Sequence, residues 1–228
     1  MEEHGMFLGF LVVSDYRRDP QYTSAGGHYL LSHLSNRFNR VSINYRLSPE
    51  VTHPGHIKDV CASVKWLKQE RRMTRFIVCG HSAGATLAFQ LAAQLQKEKE
   101  NGGLVGIIGV GGIYDLNELV QEYPSYGIFV RNAFGDDEQI WREASPSQFY
   151  RPVSSVSVGL IQSKDDELLT WKQTKSMMKV VPDARVESIT DVVTTMIRSI
   201  VSCPLFILLW LIGLFNQLSN KRILILGL

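Results

Sequence analysis

Ser82 lies within Gly80-His81-Ser82-Ala83-Gly84, a hydroxyl flanked by residues almost without bulk. The segment before it, Phe76-Ile77-Val78-Cys79, reads as a buried strand. After it, Ala83, Leu87, Ala88, Leu91, Ala92 and Leu95 recur at helical spacing. A serine on so sharp a strand-to-helix turn is a nucleophile elbow. The backbone packs tightly around it, so its neighbours must be small, and its Oγ stands clear of the sheet edge. The same turn aims the Ala83 N–H, at the start of the helix, at the place where an oxyanion would develop.

A serine hydroxyl attacks poorly until a base takes its proton and a carboxylate fixes that base. Asp165 and Asp166 follow the apolar run Val156 to Ser163, at the strand end where a triad acid belongs. Asp166 is the better placed and Asp165 the alternative; the competing role is to cap a helix running from Leu168 to Met178. With an elbow of this type the order along the chain is serine, acid, histidine. The six histidines, His4, His28, His33, His53, His56 and His81, all precede Asp166. His81 should face away from the Ser82 hydroxyl, because successive side chains at a strand end alternate. His53 and His56 are the remaining surrogate bases, set against ordinary surface roles. A second oxyanion donor would come from a His-Gly-Gly loop after an early strand. Neither His4-Gly5 nor Gly26-Gly27-His28 matches that pattern well.

The elements needed to hold these groups are legible. Apolar runs at Phe7 to Val13, Val41 to Tyr45, Phe76 to Cys79, Leu104 to Val110 and Val156 to Ile161 alternate with helical stretches. That alternation predicts an α/β fold with a mostly parallel sheet and helices on both faces. One helix carries Val60, Val64 and Leu67 and ends in the charged segment Lys68 to Arg72; the helix after the elbow should stop at the polar link Lys97 to Gly103. A chain of 228 residues is long enough for one domain and a little short for a complete fold of this kind. With 24 basic and 22 acidic residues there is no electrostatic case for nucleic acid, and a small-molecule substrate is expected. Cys61, Cys79 and Cys203 lack metal-ligand spacing and read as free thiols in a reducing compartment; no metal or other cofactor is expected. The acidic start Met1-Glu2-Glu3 does not resemble a signal peptide, so the expected location is cytoplasmic. From Ser199 to Asn220 no residue is charged, which makes membrane attachment through residues 199–220 the less favoured alternative. A homodimer is left open.

Several motifs carry a resemblance to a family. Ile43-Asn44-Tyr45-Arg46-Leu47-Ser48-Pro49-Glu50, the elbow with Ala85-Thr86, Gly112-Ile113-Tyr114-Asp115-Leu116, Glu122-Tyr123-Pro124, Ala133-Phe134-Gly135 and the stretch Ser163 to Thr174 resemble the fungal kynurenine formamidases, or arylformamidases. These are α/β-hydrolases. The likeness runs from about Arg18 to Ile189, which sets an α/β-hydrolase domain at 1–190, incomplete at its C-terminal end, and a non-matching apolar tail at 191–228. It implies a serine hydrolase of tryptophan catabolism that converts N-formyl-L-kynurenine and water to L-kynurenine and formate. Ser82 would be the nucleophile and Asp166 the acid. Two departures stand out: Val13-Ser14-Asp15-Tyr16-Arg17 replaces the family's His-Gly-Gly-x-Trp, and nothing after Asp191 resembles the segment that carries the family's histidine. Translated intron sequence or a shifted frame would produce such abrupt junctions, and sequencing the transcript across codons 5 to 18 and 188 to 200 decides this. The alternatives are an inactive remnant and a general carboxylesterase with a membrane-attached tail.

Overall fold

The computed structural model of the chain describes residues 8–14 as backbone, and residues 39–97 and 102–189. Among the described residues, six strands form one sheet: β1 (Leu8–Ser14), β2 (Asn39–Ile43), β3 (Arg75–His81), β4 (Leu104–Val110), β5 (Ser157–Ser163) and β6 (Arg185–Ile189). Their order across the sheet is β2-β1-β3-β4-β5-β6. Every neighbouring pair is parallel, so all six C-terminal ends lie on one edge.

Parallel strands covered on both faces read as continuous apolar runs rather than alternating ones. In β3, Phe76, Ile77 and Val78 are each 0% exposed. Phe76 and Val78 join Ile107, Val158 and Leu160 in the main core, under helices α1 (Gly55–Glu70) and α2 (Ala83–Leu95). Ile77, Cys79, Ile108 and Ile161 fall at the alternate positions, away from that core, and are also buried. α1 is amphipathic, placing Ile57, Val60, Val64 and Leu67 inward. α2 is buried on nearly every side from Gly84 to Ala92, as its run of alanine and leucine requires.

Between β4 and β5 the chain makes an excursion of short helices: α3 (Leu116–Glu122), a single 3₁₀ turn (Pro124–Tyr126), α4 (Gly127–Phe134), α5 (Glu138–Ala144) and α6 (Pro146–Phe149). Asp115 caps α3 and Asp137 caps α5, each carboxylate accepting a backbone N–H. The excursion has its own small core of Ile113, Leu116, Leu119, Val130, Trp141 and Ala144. That core also takes in Leu169 and packs on Ala83, so it rests directly on the turn that holds Ser82. The last described helix is α7 (Trp171–Val180). It starts at Trp171, not Leu168, because Thr170 Oγ1 accepts the Lys172 N–H and is the cap. Asp166 is therefore not the cap of this helix.

Candidate active site

Ser82 sits at the junction of β3 and α2 with φ 53° and ψ −122°, a backbone region that L-residues avoid. Three hydrogen bonds hold it there. Its N–H donates to the Val110 carbonyl at 3.1 Å, and its own carbonyl accepts from Ala85 N at 3.0 Å and Ile113 N at 3.2 Å. The turn closes so tightly that a Cβ at Gly80 would run into the Gly84 carbonyl. At Gly109 a Cβ would strike the Tyr114 hydroxyl, which is packed behind the elbow. Ser82 and Ala83 remain half-buried while Gly84 onward is buried. The Ala83 N–H opens α2, in the turn whose amides have no carbonyl partner within the helix.

Asp166 follows β5, two strands from β3, so the two loops leave the same sheet edge about 10 Å apart. The Asp166 carboxylate is held on both oxygens. Oδ1 accepts the Leu168 N–H at 2.9 Å and the Leu169 N–H at 3.0 Å, and Oδ2 accepts Gln162 Nε2 at 2.8 Å. Asp165 is exposed, and its N–H donates to Ser163 Oγ at 3.2 Å. Of the two carboxylates it is Asp166 whose charge reaches the elbow, where it acts on the imidazole of His81. Burial pushes that imidazole down to about 4, against the opposing pull of Asp166, so His81 is neutral near pH 7.

The two surrogate bases are otherwise engaged. Ser48 Oγ donates to the Val51 carbonyl at 3.1 Å and lies 3.0 Å from His56 Nε2. That contact ties the His56 ring to the Ser48 loop ahead of α1. The His53 ring packs on Phe134 with centroids 5.1 Å apart, and its backbone N–H donates to the Ala133 carbonyl at 2.6 Å. Burial lowers both histidine pKa values. The Tyr45 to Pro49 motif serves architecture: Arg46 grips Asp59 of α1 through Nε at 2.9 Å and Nη2 at 2.7 Å. Burial pushes the Cys79 thiol up to about 12, which leaves it a core residue. Neither Cys61 nor Cys79 forms a disulfide.

His4, His28, His33, Gly26-Gly27 and residues 15–17 lie outside the described residues, as do Cys203 and the tail at 191–228. Among the described residues no helix is long and apolar enough to cross a membrane, and no group of three His, Cys, Asp or Glu is placed to hold a metal ion. The residues missed from sequence are Gln162, Thr174 and Gln173. Gln162 is 0% exposed and Thr174 Oγ1 donates to its Oε1 at 3.2 Å. Gln173 Oε1 accepts the Tyr114 and Asp115 N–H groups, tying α7 to the excursion. The available signal for Gln162 was a long polar side chain directly following the apolar run Val158 to Ile161.

A family model for the alpha/beta hydrolase fold matches residues 16–158, more than half of the chain. The chain is similar to the kynurenine formamidase of Meyerozyma guilliermondii, at 37% identity over 173 residues, covering 70% of this chain and 65% of that protein. It is also similar to the kynurenine formamidase of Saccharomyces cerevisiae, at 36% identity over 160 residues, covering 62% of this chain and 61% of that protein. The match thus spans less than two thirds of either relative's length. Among solved structures, esterase B from Lactobacillus rhamnosis superposes with a TM-score of 0.72 at 16% identity, over 96% of this chain and 78% of that one. With the family model matched over more than half of its length, the chain belongs to the α/β-hydrolase fold family.

Proposed function

We propose that this protein is a serine hydrolase of the kynurenine formamidase type, acting on N-formyl-L-kynurenine and releasing L-kynurenine and formate. The observation that carries this reading is the strained Ser82 at the mouth of α2, with Ala83 beside it and the Asp166 loop on the same edge. Similarity to kynurenine formamidases supports the choice of substrate. In the reaction, Ser82 Oγ forms a bond to the formyl carbon and the Ala83 N–H receives the developing oxyanion. The C–N bond then breaks, and the arylamine leaves with a proton, without which it is a poor leaving group. Water cleaves the formyl ester, gives formate and restores the serine.

The proton carrier must reach both Ser82 and Asp166. β6 lies next to β5, so a group following Ile189 would emerge on the same edge, beside the Asp166 loop. No histidine follows Asp166 in this sequence, which favours a second reading, a fold that binds but turns over slowly. A buried, unbridged thiol at Cys79 fits a reducing, cytoplasmic setting. Purified protein incubated with N-formyl-L-kynurenine tests the proposal. L-kynurenine should accumulate, and Ser82→Ala should abolish both turnover and labelling by a fluorophosphonate; turnover that survives Ser82→Ala would exclude this mechanism.

A further inference from the structure

Gln162 lies on β5, wholly buried, with every polar atom engaged. Its Nε2 donates to Asp166 Oδ2 at 2.8 Å and to the Leu169 carbonyl at 3.2 Å, while its Oε1 accepts the Thr174 hydroxyl at 3.2 Å. The amide can sit only one way round. Reversed, its oxygen would face a carboxylate and a carbonyl, two acceptors with no proton between them. Thr174, 1% exposed on α7, supplies the hydroxyl that selects this orientation. The chain of donation runs from helix to strand to acid loop.

From this geometry we infer that Gln162 is a positioning residue: its buried amide, oriented by Thr174, fixes the Asp166 carboxylate in the rotamer from which it would serve the nucleophile. This rests on Asp166 being the acid of the proposed reaction. Two backbone N–H groups hold Oδ1, and among the described residues the amide is the one hydrogen-bond donor to Oδ2, so a lone pair of Oδ2 is left for an imidazole. Without the amide the carboxylate keeps its anchor on one oxygen and gains freedom to swing about it.

The same amide also holds the Leu169 carbonyl, so a positioning role must be separated from simple bracing of the loop. A double-mutant cycle of Gln162→Leu and Asp166→Ala does this, read by amide hydrogen exchange on the full chain. Gln162→Leu should speed exchange of the Leu168 and Leu169 N–H groups about tenfold, a loss in keeping with hydrogen bonds to a charged group, and leave Leu160 unchanged. On the Asp166→Ala background it should add less than about twofold. Equal acceleration on both backgrounds, or none on either, overturns the proposal. Should Gln162→Leu not fold, Thr174→Val keeps the amide but not its orientation. It should then produce a smaller acceleration at the same two amides, and its failure to do so overturns the proposal equally. With N-formyl-L-kynurenine, Gln162→Leu should lower kcat and leave KM within about twofold. If the parent chain does not turn over at all, the proposed reaction fails, while the exchange cycle still decides the role of Gln162.

Discussion

Holding Ser82 at φ 53° stores strain that a residue with a Cβ meets at a cost of about 1–3 kcal/mol. Ser82→Gly relieves it, and even after the greater freedom of glycine in the unfolded chain the protein should gain about 1 kcal/mol in urea unfolding. Gly80→Ala has the opposite sign. The added carbon meets the Gly84 carbonyl, backbone at the start of α2 that cannot yield without moving the helix, and a loss of about 3 kcal/mol or more is expected. The His81 imidazole gives a pH dependence. Its ordinary value is 6.5 and burial takes it to about 4 in the folded protein, so between these values the unfolded chain binds the extra proton. Stability therefore falls as pH drops from 6.5 toward 4, by up to roughly 3 kcal/mol, and is fully present above 6.5. Denaturant titrations at a series of pH values should show this slope, and His81→Gln should flatten it.

Short helices depend on their caps far more than long ones do. Asp115 closes α3 through Oδ1, on the Glu118 N–H at 2.9 Å, and its Oδ2 accepts Ser147 Oγ and Gln148 Nε2, each at 2.9 Å. Asp115→Ala should cost about 2 kcal/mol and loosen α3 and α6 in hydrogen exchange while the sheet keeps its protection. The strand Leu104 to Val110 could be read from the sequence to the residue, because apolar character and β-branching end together there. β3 runs two residues beyond its apolar run, through Gly80 and His81, since backbone pairing with β4 continues where side chains stop being apolar. β2 lies two residues earlier than its apolar run, set by its register with β1. The excursion helices, four to eight residues each, are too short to develop a periodic signal; Asp115 with Glu118 three positions on was the local mark of α3. The elbow was legible because its chemistry is contiguous. The link from Gln162 to Asp166 was not, because it depends on the rotamers of side chains brought together from β5, α7 and the loop between them.

The proposed reaction, with Ser82 after β3 and Asp166 after β5, needs one more group to move protons. A variant carrying a histidine shortly past β6 and a His-Gly-Gly loop after β1 should turn over N-formyl-L-kynurenine about 100-fold to 10,000-fold faster than the chain as written. Side-by-side kcat/KM values check this, and equal rates would assign the base role to a histidine already present or discard the serine mechanism. The strand order carries a different consequence, for biosynthesis. β1 is an inner strand lodged between β2 and β3, and its pairing of Leu8 with Arg75 joins positions 67 residues apart. At ordinary ribosomal speeds of about 5–20 residues per second, β1 leaves the exit tunnel roughly 3–13 s before β3 can flank it. During that interval Leu8-Gly9-Phe10-Leu11-Val12-Val13 is an apolar segment without its central neighbour, open to chaperones and to other nascent chains alike.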